Sequence, residues 1–143
     1  MHMGTVPQSS EWQSVLAQPR RAASTLTRLD IPTSAGVYAW FQSDECVYLG
    51  KASSLRSRLR THLGTSNDLS RSTLRSWVAV RELGLDRAHT RHRPSLMTTE
   101  QVAVVNAWIR SCDLAWVETD TNEDAAALEA RLLADWRPPI NVA

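Results

Sequence analysis

Two β-prone runs, each carrying a tyrosine, constrain this chain more than any other stretch. Gly36-Val37-Tyr38-Ala39-Trp40-Phe41 and Cys46-Val47-Tyr48-Leu49-Gly50-Lys51 are mostly apolar and are separated by Gln42-Ser43-Asp44-Glu45. Aromatic and β-branched residues on either side of a short polar patch predict an antiparallel hairpin, with strands over 37–41 and 46–49. A basic helix follows at once. Ser53 or Ser54 can cap a segment running through about Leu63, and Gly64-Thr65-Ser66-Asn67 stops it. On that helix Arg58 and His62 stand four residues apart and share a face. One strand-strand-helix unit thus gathers two phenols, a lysine, an arginine and a histidine, a set suited to phosphate chemistry.

The rest of the chain supplies the frame. Residues 9–30 read as helical, with Ser9 or Ser10 as a cap and Pro19 dividing the segment. After the basic helix, Asp68 or Ser70 is the expected cap of a helix through about Leu83, and Gly84–Pro94 reads as an irregular basic loop. Thr98-Thr99-Glu100-Gln101 has the pattern of a capping box and opens a helix through Ile109. Leu114–Val117 is the third strand, and Thr121 or Asn122 caps a last helix over Glu123–Trp136, with Leu128 and Leu132 on its buried stripe. Pro138-Pro139 ends that helix and leaves Ile140-Asn141 as a tail that folds back. The expectation is one α+β domain over residues 1–143: a small three-stranded antiparallel sheet flanked by helices, with an N-terminal helical segment (9–30) and a helical, basic insertion (64–111). Trp77, Trp108, Trp116 and Trp136 fall at apolar positions and are expected in the core, while Trp40 shares the strand face of Tyr38.

Composition excludes several classes. With 143 residues, 43% hydrophobic side chains and six tryptophans, the chain can bury a real core and is not disordered. No apolar run reaches membrane-spanning length, so a cytoplasmic protein without a membrane partner is expected. Cys46 and Cys112 read as buried free thiols. The net charge of +1 hides an asymmetry: residues 51–93 hold ten basic and three acidic side chains, residues 94–143 three and eight. A middle segment this basic suits a phosphate-facing surface. Arg56 and Arg60 beside Arg58, and Arg71 and Arg75 beyond the helix, are the candidate nucleic-acid contacts. Gly50-Lys51 is not a P-loop, since Ala52 stands where a hydroxyl is needed and Glu45 where a glycine is needed. His89 and His92 lie in an arginine-rich loop, and the cysteines lack paired metal spacing, which argues against zinc.

Taken in order, Gly36-Val37-Tyr38, Tyr48-Leu49-Gly50-Lys51, Arg58, His62, the helical Glu129 and Arg137-Pro138-Pro139-Ile140-Asn141 resemble the GIY-YIG nuclease superfamily. Block spacing is similar to that of excision-repair nuclease domains, and the layout to small stand-alone bacterial members. Valine and leucine replace the two isoleucines of the motif, both apolar strand residues. The resemblance implies metal-dependent hydrolysis of nucleic-acid phosphodiesters on a three-stranded sheet. It assigns Glu129 as the single protein ligand of one divalent cation, and a lone hard carboxylate suits Mg²⁺ or Mn²⁺. Arg58 would hold phosphate oxygens as charge develops, Tyr38 or Tyr48 would help deprotonate the attacking water, Lys51 would lower a phenol's pKa, and His62 would assist either. Asn141 would tie the tail to the site. DNA is the expected substrate, single-stranded or branched forms included. An RNA-cleaving nuclease of the same fold, a catalytically silent nucleic-acid-binding module and an interaction protein are the alternatives; oligomeric state stays open.

Overall fold

The computed structural model of the chain describes Pro7 and residues 9–141; residues 1–6, 8, 142 and 143 lie outside the described residues. In chain order come helix α1 (Ser10–Leu16), strand β1 (Arg21–Ala22), two 3₁₀ turns (Ala23–Thr25, Arg28–Asp30) and the hairpin of β2 (Gly36–Gln42) and β3 (Glu45–Ala52). Helices α2 (Leu55–Leu63), α3 (Thr73–Leu83), α4 (Arg87–Thr90) and α5 (Thr99–Arg110) follow, then β4 (Asp113–Glu118) and α6 (Asn122–Asp135). The α+β architecture holds, and the sheet has four strands in the order β1-β4-β2-β3, every neighbouring pair antiparallel. The strand beyond the three expected is the two-residue β1, where Arg21 pairs with Leu114 and Ala22 with Asp113. It occupies part of the segment expected to be helical. Helix α1 stops at Leu16, ahead of Pro19, and the backbone beyond finds its hydrogen bonds on the open edge of β4 instead.

The hairpin turns through Ser43 and Asp44, whose φ angles of 49° and 69° are both left-handed, the geometry that matches the twist of the flanking strands. An ion pair joins Asp44 to Arg20. Tyr38 lies opposite Gly50, Trp40 opposite Tyr48 and Phe41 opposite Cys46, so Val47 is the extra residue of a β-bulge. A strict two-residue alternation would put Cys46 and Tyr48 on one face. The bulge separates them, leaving Tyr48 with Tyr38 and Trp40 while Cys46 joins Phe41 on the other side.

Each sheet face carries its own core. Tyr38, Trp40, Tyr48 and Leu114 pack with Leu55 and Leu59 of α2, Leu74 and Val78 of α3, and Val105 and Ile109 of α5. Val37, Ala39, Phe41, Leu49 and Ala115 pack with Trp12 and Val15 of α1 and Ala125 and Leu132 of α6. Trp12 latches α1 to α6: its indole Nε1 donates to the Leu132 carbonyl at 2.8 Å, and its ring meets Trp136 edge-on with centroids 5.2 Å apart. Trp12 and Trp40 are the fully buried tryptophans. Trp77, Trp108, Trp116 and Trp136 are only partly buried at the rims of the two cores, a correction to the sequence expectation. Both cysteines are free and buried.

The caps follow local chemistry. Ser54, Thr98 and Thr121 cap α2, α5 and α6, with both halves of the Thr98/Gln101 box present. Helix α3 starts later than expected, at Ser72, because the Asp68 carboxylate accepts from the Ser70 amide and hydroxyl in a turn of its own. The basic loop contains the short helix α4. The tail does fold back. Ile140 N donates to the Val47 carbonyl at 2.9 Å, and Asn141 pairs with both backbone groups of Leu49 at 2.8 and 2.7 Å, covering the outer edge of β3. Among the described residues no helix is long and apolar enough to cross a membrane.

Candidate active site at the edge of the sheet

The site begins with a missing side chain. Tyr38 faces Gly50 across the hairpin, and its phenol lies over the β3 backbone where any other residue would place a Cβ. A Cβ built on Gly50 would come within 2.9 Å of the ring's Cε1 and closer still to Cζ and the hydroxyl. The ring is 1% exposed, and its Oη lies 2.7 Å from His62 Nε2. His62 comes from α2, whose Ser54 cap and buried Leu55 and Leu59 fix the helix against the sheet. On the other side of the imidazole, Nδ1 lies 2.6 Å from Ser72 Oγ, which also accepts the Arg75 backbone N–H at 3.0 Å.

Burial first, then the nearby Arg58 and Arg75 charges, hold His62 down at about 3, so the imidazole is neutral over the working pH range. A neutral imidazole donates at one nitrogen and accepts at the other. Tyr38 and Ser72 therefore stand at the two ends of a chain whose hydrogen bonds all run in one direction. Tyr48 lies beside it, its ring centroid 6.4 Å from that of Tyr38. Burial raises both phenols above the ordinary tyrosine range, and Arg58 opposes the rise at each. The guanidinium of Arg58 is thus the cation that acts on both hydroxyls.

Glu129 approaches from the opposite layer. Helix α6 packs on the far face of β2 and β3, but β3 is the edge strand, and the carboxylate's charge acts on both Tyr38 and Tyr48. Half burial raises the Glu129 pKa, while Lys51 and Arg137 pull it down. Lys51 thus bears on the carboxylate, whereas the cation bearing on both phenols is Arg58. The ion pairs among the described residues are Arg20–Asp44, Arg93–Asp68 and Arg131–Glu11, so Glu129 is left with free oxygen lone pairs. No group of three or more His, Cys, Asp or Glu side chains among the described residues makes a metal cage. The donor set fits a hard cation held by one carboxylate oxygen, with water and phosphate completing its shell. Beside it a cleft of about 340 Å³ runs between the start of α6 and α2, lined by Lys51, Ser53, Ser57, Arg58, Thr61 and Asn122.

The remaining candidates separate by environment. Asn141 contacts the backbone of Leu49 on β3, two residues before Lys51, and so braces the strand that carries Tyr48 and Gly50. Arg60 and Arg71 are exposed. Arg56 is half-buried and gives its Nε to the Ile31 carbonyl at 2.8 Å, which pins the connector ahead of β2. Arg75 corrects the linear reading. It is 2% exposed, and its guanidinium is spent on the Ser66 carbonyl and Asn106 Oδ1 at 2.7 and 2.8 Å, so it cannot reach a phosphate in solvent. Two residues at the site escaped sequence reasoning. Ser72 was one of several hydroxyls near a helix start, and only its contact with His62 distinguishes it. Arg87 was one arginine among many in the basic loop, and only the fold brings its charge to Tyr48.

Comparison with known proteins adds an independent line. The GIY-YIG catalytic domain family matches residues 22–143. Over 129 residues the chain is 30% identical to UvrABC system protein C of Synechococcus sp. strain CC9311, covering 90% of this chain and 15% of that protein. UvrABC system protein C of a Cyanothece species is 30% identical over 139 residues, 96% of this chain and 16% of the relative. The chain therefore spans about 15% of the length of these curated relatives. Among solved structures, the GIY-YIG N-terminal endonuclease domain of UvrC from Thermotoga maritima, bound to magnesium, covers 94% of this chain and 99% of its own at 20% identity, with a TM-score of 0.45.

Proposed function

The chain belongs to the GIY-YIG catalytic-domain family, and on that premise we propose that it is a divalent-metal-dependent endonuclease that hydrolyses phosphodiester bonds in DNA. We take residues 1–143 as one domain with 64–111 as its insertion, acting in the cytoplasm. The observation that carries the reading is the meeting of Glu129 and Arg58 charges on the same two phenols at one edge of the sheet. A carboxylate alone would be a surface acid and a tyrosine pair alone would be core packing. Together, beside a basic cleft, they form a site that can hold a scissile phosphate.

Glu129 would hold one Mg²⁺ or Mn²⁺ through a carboxylate oxygen, and the Lys51 charge opposes the rise in pKa that its burial causes. The bound ion would supply charge stabilisation for the leaving oxygen and the transition state. Arg58, a planar donor fork half-exposed on the cleft wall, would bind nonbridging phosphate oxygens as their charge grows. The hydroxyl of Tyr38, fixed by its hydrogen bond in the His62–Ser72 chain, would orient and polarise the attacking water. His62, held neutral by its burial and by the nearby arginines, would anchor that hydroxyl by hydrogen bonding. Tyr48, on the same face as Tyr38, would orient the phosphate beside Arg58. Asn141 acts through Leu49, as a brace of β3.

DNA is the substrate assigned, with single-stranded or branched forms placed ahead of plain duplex because a basic cleft this short grips little of a duplex. The test is a cleavage panel of labelled single-stranded DNA, duplex, flap and RNA with Mg²⁺, Mn²⁺ or EDTA. Metal-dependent cutting of a DNA form that vanishes in Glu129→Ala, with binding retained, is the expected result. Cutting confined to RNA would reassign the substrate. Salt-dependent binding with no cutting of any nucleic acid would make the chain a binding module, and no binding at all would overturn the reading.

A further inference from the structure

The 64–111 segment contributes more than bulk. Arg87 opens α4, and its guanidinium carbon sits 4.3 Å above the ring of Trp77 on α3. Trp77 in turn packs against the core cluster that contains Tyr48. The stack fixes the planar fork in place. Its Nε is buried and has no hydrogen-bond partner among the described residues. That buried N–H lies under the stack, out of a ligand's reach, whereas the terminal guanidinium nitrogens are not buried and make no hydrogen bond among the described residues, which leaves them free for an anion. Arg75 shares the orphan Nε, but its terminal nitrogens are already bound to Ser66 and Asn106. Arg87 is bound to nothing but the indole face.

We propose that Arg87 is a second phosphate-binding arginine of this site, working with Arg58 beside Tyr48 to hold a nonbridging oxygen of a nucleic-acid phosphate. The inference rests on the nuclease reading and extends its contact set to a segment outside the strand-strand-helix unit. Three facts support it beyond the stack. Arg87 and Arg58, from different helices, both lie near enough to Tyr48 for their charges to oppose the rise of its pKa. Arg91, of like charge, adds to the positive field around Arg87 rather than cancelling it. None of the ion pairs among the described residues engages either cation. Cations brought together without a protein acid are arranged for a ligand's charge.

The rival role is packing alone, with the arginine serving as a flat lid on Trp77. Arg87→Met separates the two, because methionine keeps the apolar stem and the contact with the indole but removes the charge. Binding of a fluorescein-labelled single-stranded DNA is measured by anisotropy across a salt series, in a Glu129→Ala parent that does not cut. The parent should bind with a marked salt dependence. Arg87→Met should weaken binding about ten- to a hundredfold and lower the slope of log K against log salt by about 0.7, one phosphate contact. Arg110→Met, on an exposed arginine of α5, should leave both unchanged. Parent-like affinity and slope in Arg87→Met, with loss in Arg58→Met, would overturn the Arg87 site and leave the nuclease reading standing. An equal loss in Arg110→Met would overturn it too, as a general charge effect. Absence of salt-dependent binding in the parent would overturn both.

Discussion

Replacing Gly50 by alanine is the smallest change that should disable the site, and its size can be worked out from the hairpin register. Gly50 is opposite Tyr38, and an added methyl would overlap the phenol's hydroxyl and Cζ and approach Cε1 to 2.9 Å. The ring has no free direction to move. It is 1% exposed, with the His62 ring 5.5 Å away and the Tyr48 ring 6.4 Å away, centroid to centroid. Forcing one methyl into such a core costs about 1–3 kcal/mol. For a chain of this length that is roughly 4–12 °C in Tm. A ring displaced by about 1 Å also loses its 2.7 Å bond to His62, and misplacement on that scale lowers a rate by about a hundredfold. The paired assays are thermal unfolding by circular dichroism and single-turnover cleavage with Mg²⁺. Gly50→Ala in a Tyr38→Leu background should be less destabilising than in wild type, because the overlapping atoms are gone. Wild-type Tm together with wild-type cleavage in Gly50→Ala would refute the claim that the glycine exists to seat the phenol.

Other perturbations follow from the same contacts. Lys51→Met removes a charge that favours the Glu129 carboxylate, so the Glu129 pKa should rise further and the acid limb of the pH–rate profile should move to higher pH; an unmoved limb would show that Lys51 acts elsewhere. His62 sits at about 3 in the folded protein and near ~6.5 when unfolded. Between those values the unfolded chain binds the extra proton, so stability is complete above ~6.5 and falls as pH drops toward ~3, by at most about 1.4 kcal/mol per pH unit. Urea unfolding of His62→Gln should show a flatter acid side than wild type. Ser72→Ala removes the α3 cap at about 1 kcal/mol and frees His62 Nδ1, so kcat should fall about tenfold or more while KM holds. Ser72→Thr, which keeps the hydroxyl, should restore both the cap and the rate.

What was legible in the sequence was mostly local. The hairpin, the Ser54 and Thr121 caps and the Thr98/Gln101 box each depend on residues within four positions of one another, and the chain folds as those patterns require. Strand β1 was not legible, because two residues become a strand only when β4 offers them an open edge, ninety-odd positions away. The α3 start was hidden among Asp68, Ser70 and Ser72, and the tertiary contact of Ser72 with His62 singles out the last. Charge counting found a basic segment but could not sort it. Arg75 ends in the interior, Arg56 on a carbonyl and Arg87 on an indole, and each outcome is decided by a partner distant in sequence. The role given to Lys51 shifted for the same reason: adjacency to Gly50 suggested the phenols, whereas strand alternation turns the lysine toward Glu129 on the α6 side.

The central claim is that one cation, held by Glu129, sits beside both phenols. The chain has only two tyrosines, so tyrosine-labelled protein gives an NMR spectrum with a probe on each side of the proposed site and none elsewhere. Mn²⁺ added below equimolar amounts, with a phosphorothioate oligonucleotide present, should broaden the ring signals of both Tyr38 and Tyr48, and Glu129→Ala should abolish the broadening. Sharp signals from both rings in the wild type, or equal broadening in Glu129→Ala, would contradict the account.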